Sequence, residues 1–589
     1  MTAETTPPAR PTRVPLLRRA GIRPSPLTVG GLVLAAALAL LAVWPLALVV
    51  VRPFTDHGQL DLAPIRTTLA EPDLGRLLLH TTVVVGVSGS AALLIGAVLA
   101  WLNERTDARM GVLTDIVPIV PFLLPPIAGA VGWALLGSRQ SGYLNLALRP
   151  LLDTVGVHLR SGPIDVHSWY GLIFAYTIYQ VPYAFMLVSA GLRNVDPALE
   201  EQSRISGAGA LRTLWRVSLP AVRPSLGAAA LLMVWLGFGL FSVPTILATE
   251  AHIDILAVRI VRLLSFTYPP EVGTAVGLNL IVMLIVTVVW YFQTRLLRRG
   301  RNAQIGGKGT GVRPLRLGRW RTPARLLMLA YLALTSLLPL AALLLVSLTG
   351  YWSSTVHWDR LNLDAVRRTA GDVATREALA HSLLLGAAGA TIAVLAAAVV
   401  SLLVRRTGRG VGLLVDAAIK FPPTLSHIVI AVGFVLAFSG APFFMGGTLW
   451  ILLLVYVSLH MPQATAASDA AISQIGTELT DASLMSGAGP ARTFRRVVLP
   501  LMTPGLVAGW ALLFVTIAGD ISASAILAGT GNEVVGYRIL EVFANGDYAM
   551  LGSLSILLTL VSVVVVLPVT WYARGRRRGG RPVPPVGRI

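Results

Sequence analysis

The chain has 589 residues, of which 55% are hydrophobic and only 13% are charged. A soluble globular protein carries about 25% charged residues, so this composition excludes a soluble domain. The apolar residues gather into runs that are long enough for membrane-spanning helices and too long for the strands of a membrane barrel. The absence of cysteine excludes disulfides, thiolate metal sites and cysteine nucleophiles.

Twelve membrane spans are predicted, which makes the chain an all-α polytopic membrane protein. A basic tail precedes the first apolar run, as in a signal peptide, but the run is about twice the usual length and no small-residue cleavage site follows it. We therefore predict a retained first helix. The predicted spans are 27–51, 77–102, 112–137, 169–192, 225–249, 272–293, 326–349, 380–404, 412–438, 446–470, 504–528 and 549–572.

The formal net charge of +20 lies mainly in short segments beside these spans. Such charge indicates membrane topology and contact with anionic lipid rather than with nucleic acid. The positive-inside rule then predicts that both termini are cytoplasmic. The predicted divisions are a basic tail (1–26), a first six-helix unit (27–293), a flexible basic linker (294–325), a second six-helix unit (326–572) and a basic tail (573–589).

One polar segment between spans occurs twice, 280 residues apart. Ten of the fifteen positions in 206–220 are identical to those in 486–500. Because six spans form each repeat, both units enter the membrane in the same direction and form a parallel pair. Two equivalent loops on one side of a membrane protein predict two docking points for a two-fold partner.

Each copy has the same order of chemical features. An acidic residue comes first, small residues then allow a bend, apolar residues follow on a basic segment, and proline ends the short helix. A single copy is compatible with an amphipathic loop on the lipid surface, whereas two copies with the same spacing favour docking. The candidate docking residues are Glu201, Gly207, Leu214, Val217 and Pro220 in the first copy, and Asp481, Gly487, Phe494, Val497 and Pro500 in the second.

The two copies resemble the EAA loop of permease subunits in binding-protein-dependent ABC importers, and the two fused units resemble the iron(III)/thiamine group. Residues 518–527 and 546–548 are similar to the second half of that group. The resemblance implies a type I importer fold in a bacterial inner membrane. It also implies two copies of a cytoplasmic ABC ATPase that use ATP, an extracytoplasmic solute-binding protein, and no enzyme activity or bound cofactor in this chain.

Few ionisable residues lie within the predicted spans. Asp520 is the clearest, and it either lines the translocation path or caps nearby backbone beside Gly519. Paired prolines, at Pro125 and again at Pro422, predict kinked helices along the same path. No cluster of metal ligands is evident in the sequence.

Two other classes of function remain to be weighed. A secondary transporter with parallel halves requires coupling carboxylates in its spans, and this chain offers essentially one. A membrane enzyme requires a clustered nucleophile, a metal set or an acid–base pair. Among importer substrates, the resemblance favours ferric iron, with thiamine, a polyamine or an organophosphonate as alternatives.

Overall fold

The structure, a computed structural model, describes residues 26–56, 59–110, 120–193, 195–298, 314–406, 415, 418–419, 427–473, 477–529 and 531–578. Pro422, most of both basic tails, much of the linker and the beginnings of the third and ninth predicted spans lie outside these ranges.

The described part of the chain is mostly helical. The exceptions include a two-residue antiparallel strand pair, β1 (Thr55–Asp56) and β2 (Gln59–Leu60). The helices of the first half are α1 (Pro26–Val51), α2 (Ala63–Leu69), α3 (Leu74–Arg105), α4 (Val120–Leu123), α5 (Pro126–Gly137), α6 (Tyr143–Thr154), α7 (Trp169–Arg193), α8 (Pro197–Ile205), α9 (Ala210–Thr213), α10 (Leu219–Ala221), α11 (Arg223–Gly239), α12 (Ser242–Glu250), α13 (Leu256–Val261) and α14 (Val272–Arg298).

The second half repeats this order. Its helices are α15 (Arg321–Leu332), α16 (Leu338–Thr349), α17 (Asp364–Gly371), α18 (Val373–Arg406), α19 (His427–Phe438), α20 (Leu449–Ser473), α21 (Thr477–Met485), α22 (Pro490–Thr493), α23 (Leu499–Ala518), α24 (Ser524–Leu527), α25 (Val535–Ala544) and α26 (Tyr548–Arg578). Single π-helical turns occupy Leu214–Ser218, Arg262–Phe266, Ala333–Leu337 and Phe494–Val498, and single 3-10 turns occupy Arg52–Phe54, Gly318–Trp320 and Trp358–Arg360.

Nine helical segments among the described residues are long and apolar enough to cross a membrane. A tenth is formed by Leu214–Ala221 and Arg223–Gly239, which are bent by 65°. The shorter apolar helices α5 and α19 lie where the third and ninth spans are predicted. The structure therefore confirms the all-α polytopic membrane fold. A total of twelve spans is compatible with it and stays a prediction.

Two of the predicted spans are broken in the same place. The predicted span 225–249 is interrupted at Leu240, between α11 and α12, and the predicted span 504–528 is interrupted after Ala518, between α23 and α24. Gly239 and Gly519 lie at equivalent positions of the repeat, and glycine is a poor helix former. These interruptions carry irregular backbone into the protein interior, where other segments can surround it.

The first membrane span of each unit packs against the other unit. Helix α1 lies on α19, and α16 lies on α5. Both crossings depend on a glycine, because a Cβ added at Gly132 would lie 2.7 Å from the Cβ of Pro339, and one added at Gly433 would lie 2.7 Å from the carbonyl oxygen of Pro45. The two units thus interlock rather than merely touch.

The start of a long helix is anchored in the same way in each unit. The hydroxyl of Thr81 accepts a hydrogen bond from the Leu256 backbone N–H at 3.0 Å, and Ser382 accepts one from Val535 at 2.8 Å. Each contact ties a short helix, α13 or α25, to a long one, α3 or α18. In the second unit, hydrogen bonds from Thr375 and the Arg538 guanidinium lower the pKa of Asp372 at the start of α18.

Candidate functional site

The two repeated loops adopt the same backbone. We define the first coupling loop as residues 197–220 and the second as 477–500. Gly207 and Gly487 have φ angles of +81° and +79°, in the left-handed region that favours glycine. Just before each glycine a helix ends, and just after it a four-residue helix runs into a π-helical turn. The glycine therefore turns the chain back at the same point in both loops.

A second contact closes each loop. The hydroxyls of Ser203 and Thr213 are 3.0 Å apart in the first loop, and those of Ser483 and Thr493 are 2.9 Å apart in the second. Backbone hydrogen bonds also repeat, from the N–H of Ala208 to Ser203 and from that of Ala488 to Ser483. Each loop is thus a compact helical hairpin with its own internal bonds.

The predicted docking residues all lie on these hairpins, but they differ in exposure. The exposed ones are Glu201, Gly207, Asp481, Gly487 and Pro500, and the partly buried ones are Leu214, Val217, Pro220, Phe494 and Val497. Their contact with an ATPase stays a prediction.

The most exposed apolar side chains of the two hairpins were missed at the sequence level. Ile205 is 86% exposed and Met485 is 89% exposed, and they occupy equivalent positions. Both directly precede the repeated Ser-Gly-Ala-Gly segment. A position-by-position comparison of the two loops would have identified them. An exposed apolar residue at the same place in both loops is typical of an interaction surface.

A buried ion pair supports the first coupling loop. The Arg105 Nε lies 3.3 Å from Glu200 Oε1, and the Ser218 hydroxyl donates to the same oxygen at 2.7 Å. Arg105 also donates to the carbonyls of Leu192 at 2.7 Å and Val195 at 3.1 Å. This network joins the end of α3 to α7 and to the loop.

The second coupling loop lacks the acidic member of that network. The residues equivalent to Glu200 and Ser218 are Thr480 and Val498. A threonine carries no negative charge, so the second loop is not attached by the corresponding ion pair. The two hairpins share a backbone but differ in how they are tied to the membrane helices.

The end of the linker binds beside the first loop. The Leu315 N–H donates to the Arg105 carbonyl at 2.8 Å, and the Asp107 N–H donates back to Leu315 at 3.0 Å. The Leu317 N–H donates to Asp107 Oδ1 at 2.9 Å. The prediction of a flexible linker over all of 294–325 is therefore wrong for its described final residues, because backbone pairing holds them to the segment after α3.

A cavity of about 110 Å³ lies between the two units. Residues from both halves line it, and they include aromatic, imidazole, hydroxyl and amide side chains and one carboxylate. The lining residues from the first unit include Pro125, Tyr179, Tyr183, Trp235 and Leu240, and those from the second include His427, His460, Gln463, Asp520 and Ser522.

Asp520 lies at the break after α23. Its Oδ2 accepts a hydrogen bond from the Ala523 N–H at 2.9 Å, while the side chain is partly exposed where it lines the cavity. The hydrogen bond agrees with the capping interpretation of this residue, and its place on the translocation path stays a prediction. The equivalent residue of the first unit, Leu240, faces the same cavity. The helix breaks therefore bring one charged and one apolar residue to matching places.

Pro125 also lines the cavity, and it lies 3.5 Å from the position that a Cβ on Gly519 would take. Pro422 falls outside the described residues. Within the residues that the structure describes, no group of three or more His, Cys, Asp or Glu side chains is arranged to hold a metal ion.

The sequence matches the model of a known protein family in two separate regions. The model of the binding-protein-dependent transport system inner membrane component matches residues 92–302 and again residues 389–575, which together exceed half of the chain. The chain therefore belongs to this family of permease subunits and contains its domain twice.

Several curated relatives are similar to this chain over most of their own length. The chain is 23% identical over 549 residues to the ferric transport system permease protein FbpB of Actinobacillus pleuropneumoniae, covering 91% of this chain and 76% of the relative. It is 26% identical over 428 residues to the probable ABC transporter permease protein y4fN of Sinorhizobium fredii, covering 69% and 73%. A putative 2-aminoethylphosphonate transport system permease protein PhnV of Salmonella paratyphi A is 24% identical over 237 residues, covering 40% and 89%.

Among solved structures, a bacterial ABC transporter involved in import of the acidic polysaccharide alginate aligns with a TM-score of 0.37 and 15% identity, covering 46% of this chain and 96% of that one.

Family membership identifies the chain as a multi-pass inner-membrane permease of an ABC importer, which works with an ATPase and a solute-binding protein. The secondary-transporter and membrane-enzyme hypotheses are not retained.

Proposed function

We propose that this chain forms the whole translocation pathway of an ATP-driven importer of ferric iron. Each coupling loop docks on one of two copies of a separate cytoplasmic ATPase, with both chain termini on the same side of the membrane. An extracytoplasmic binding protein delivers the substrate to the opposite face. Closure of the ATPase pair on ATP biases the permease between two conformations, and the bias is limited by the difference in affinity for those conformations.

The matching geometry of the two coupling loops carries this proposal. Two hairpins with the same backbone, each presenting a nearly fully exposed apolar residue, suit a partner that offers the same pocket twice. Large apolar side chains are costly to leave in water, and a docking partner would cover them. Glu201, Asp481 and the neighbouring residues of each hairpin would then lie at or near the rim of the contact.

Ferric iron is supported by relatives that extend over both units. The FbpB relative of A. pleuropneumoniae, which is named for ferric transport, covers 91% of this chain, whereas the phosphonate-transport relative covers 40%. Thiamine, a polyamine and an organophosphonate remain the alternative substrates.

Cysteine cross-linking tests the docking directly, because the chain has no cysteine of its own. We expect Ile205→Cys and Met485→Cys each to form a specific cross-link with the ATPase subunit in native membranes. Leu151→Cys, an exposed control on the outer helix α6, should form none. Failure of both loop cysteines, with uptake intact, would reject the docking.

Uptake in proteoliposomes tests the substrate. The chain, its ATPase and its iron-loaded binding protein should accumulate ferric iron only when ATP is present on the ATPase side. Omission of the ATPase serves as the control. Uptake of thiamine or a phosphonate in place of iron would replace the proposed substrate and leave the importer assignment unchanged.

A further inference from the structure

The described residues that line the cavity between the two units include an acidic side chain but no basic lysine or arginine. Asp520 is the one acidic residue among the described residues that line it, and those residues include no lysine or arginine. A carboxylate away from bulk water is costly unless a positive charge or several donors compensate it. Backbone N–H groups of Ser522, Ala523 and Ser524 donate to this carboxylate, and no described lysine or arginine of the lining neutralises it, so a cation in the cavity would complete the compensation.

Several neutral acceptors surround the same space. The side-chain oxygen of Gln463 is buried and accepts no hydrogen bond from any described residue. His460 Nδ1 lies 3.0 Å from the carbonyl oxygen of Tyr456, a contact that requires a hydrogen on Nδ1 and leaves the Nε2 lone pair open in the neutral ring. The hydroxyl-bearing rings of Tyr179 and Tyr183 lie 6.1 Å apart, centre to centre, on the first-unit wall.

The cavity is small. A volume of about 110 Å³ has room for several water molecules. A metal ion that keeps part of its hydration shell fits this space. Hard cations prefer carboxylate, carbonyl and water oxygens, and imidazole is a further common ligand.

From this geometry we propose that the cavity is a transient binding site for a small, partly hydrated metal cation, with Asp520 as its anionic ligand and Gln463 and His460 as neutral ones. The site rests on the proposed function, since it lies on the path between the two units. It selects against phosphonates and other anions, because the cavity presents a negative charge to them. A single carboxylate holds the ion weakly enough for release.

The substitution Asp520→Asn separates the negative charge of this side chain from its hydrogen bond with the Ala523 N–H. Asn accepts the Ala523 hydrogen bond as Asp does, because the two residues are similarly good helix caps, but it carries no charge. The purified full chain, in nanodiscs of zwitterionic lipid, is titrated with terbium(III). Terbium emission is sensitised by nearby tyrosine and tryptophan, which the cavity supplies. Asp520→Asn should weaken the tightest binding component at least tenfold.

Asp359→Asn, which removes an exposed carboxylate from an outer 3-10 turn, is the matched control and should leave that component unchanged. Equal terbium affinity in Asp520→Asn and the unchanged chain would overturn the site, as would displacement of terbium by 2-aminoethylphosphonate through binding in the cavity. The assay needs no ATPase. Asp520-dependent binding without ATP-driven iron uptake would therefore retain the site and reject only the proposed substrate.

Discussion

At the residue scale, Gly207 and Gly487 adopt a left-handed backbone conformation that the nearby glycines Gly209 and Gly489 do not adopt. Their φ angles are positive, and a Cβ built on either would meet no heavy atom within 4 Å. Any penalty for a side chain therefore comes from the backbone conformation and not from a clash. Gly209 and Gly489 lie in equally open space without the positive φ angle.

Alanine substitution distinguishes the glycines that have a positive φ angle from those that do not. We expect Gly207→Ala and Gly487→Ala each to destabilise its hairpin by about 1–2 kcal/mol, the cost of a left-handed conformation with a Cβ. ATP-driven uptake should fall, and limited proteolysis within the loop should accelerate. Gly209→Ala and Gly489→Ala should change neither readout. Equal effects at all four positions would contradict a conformational role for the first pair.

At the element scale, the ion pair of Arg105 and Glu200 joins helices that the sequence separates by almost a hundred residues. Both side chains are largely buried, with exposures of 4% and 11%. Removing one partner of such a pair leaves an uncompensated charge, which typically costs about 3–5 kcal/mol. The first coupling loop therefore has a buried ion pair at a position where the second loop has the uncharged Thr480.

Glu200→Ala should loosen the first coupling loop and reduce the amount of substrate moved per ATP hydrolysed. The expected loss is several-fold, measured as the ratio of uptake to ATPase activity in the same proteoliposomes. Thr480→Ala, at the equivalent position of the second loop, removes a hydroxyl but no charge, and as the control it should have the smaller effect. Equal losses from both variants would contradict the asymmetry of the two attachments.

At the scale of the whole molecule, the two units are held together by more than the peptide chain. Helices α1 and α16 each pack on the opposite unit, at crossings where Gly132 and Gly433 allow close approach. The backbone pairing of Leu315 with the segment after α3 adds a further attachment. The covalent connection between the units therefore contributes little to association that these contacts do not already provide.

Splitting the chain tests this view. Co-expressed fragments 1–306 and 307–589 should copurify and retain uptake within about threefold of the intact chain. Shortening the second fragment to 321–589, which removes the Leu315 pairing, should lower the yield of the complex. Fragments that fail to copurify would show that the covalent connection is essential. The intact chain purified in parallel is the reference for yield.

Some of this protein was predictable from short stretches of sequence because the responsible forces are local. The cost of placing polar groups in hydrocarbon predicts the apolar helices. The 280-residue repeat predicts that Gly207 and Gly487 occupy equivalent bends, and the structure confirms their equivalence. The resemblance of the two loops to a known permease motif correctly predicted the family that matches the chain.

The tertiary structure determines which residues from distant parts of the chain contact one another. Glu200 differs little from its acidic neighbour Glu201 in the sequence, yet one is buried against Arg105 and the other is exposed. Asp520 is visible as an isolated carboxylate, but only packing brings Gln463 and His460 to the same cavity and leaves lysine and arginine out of its described lining. Hydropathy and local motifs report each residue's preference for water or lipid. They do not specify its partners, because those contacts depend on how distant helices break, cross and interlock.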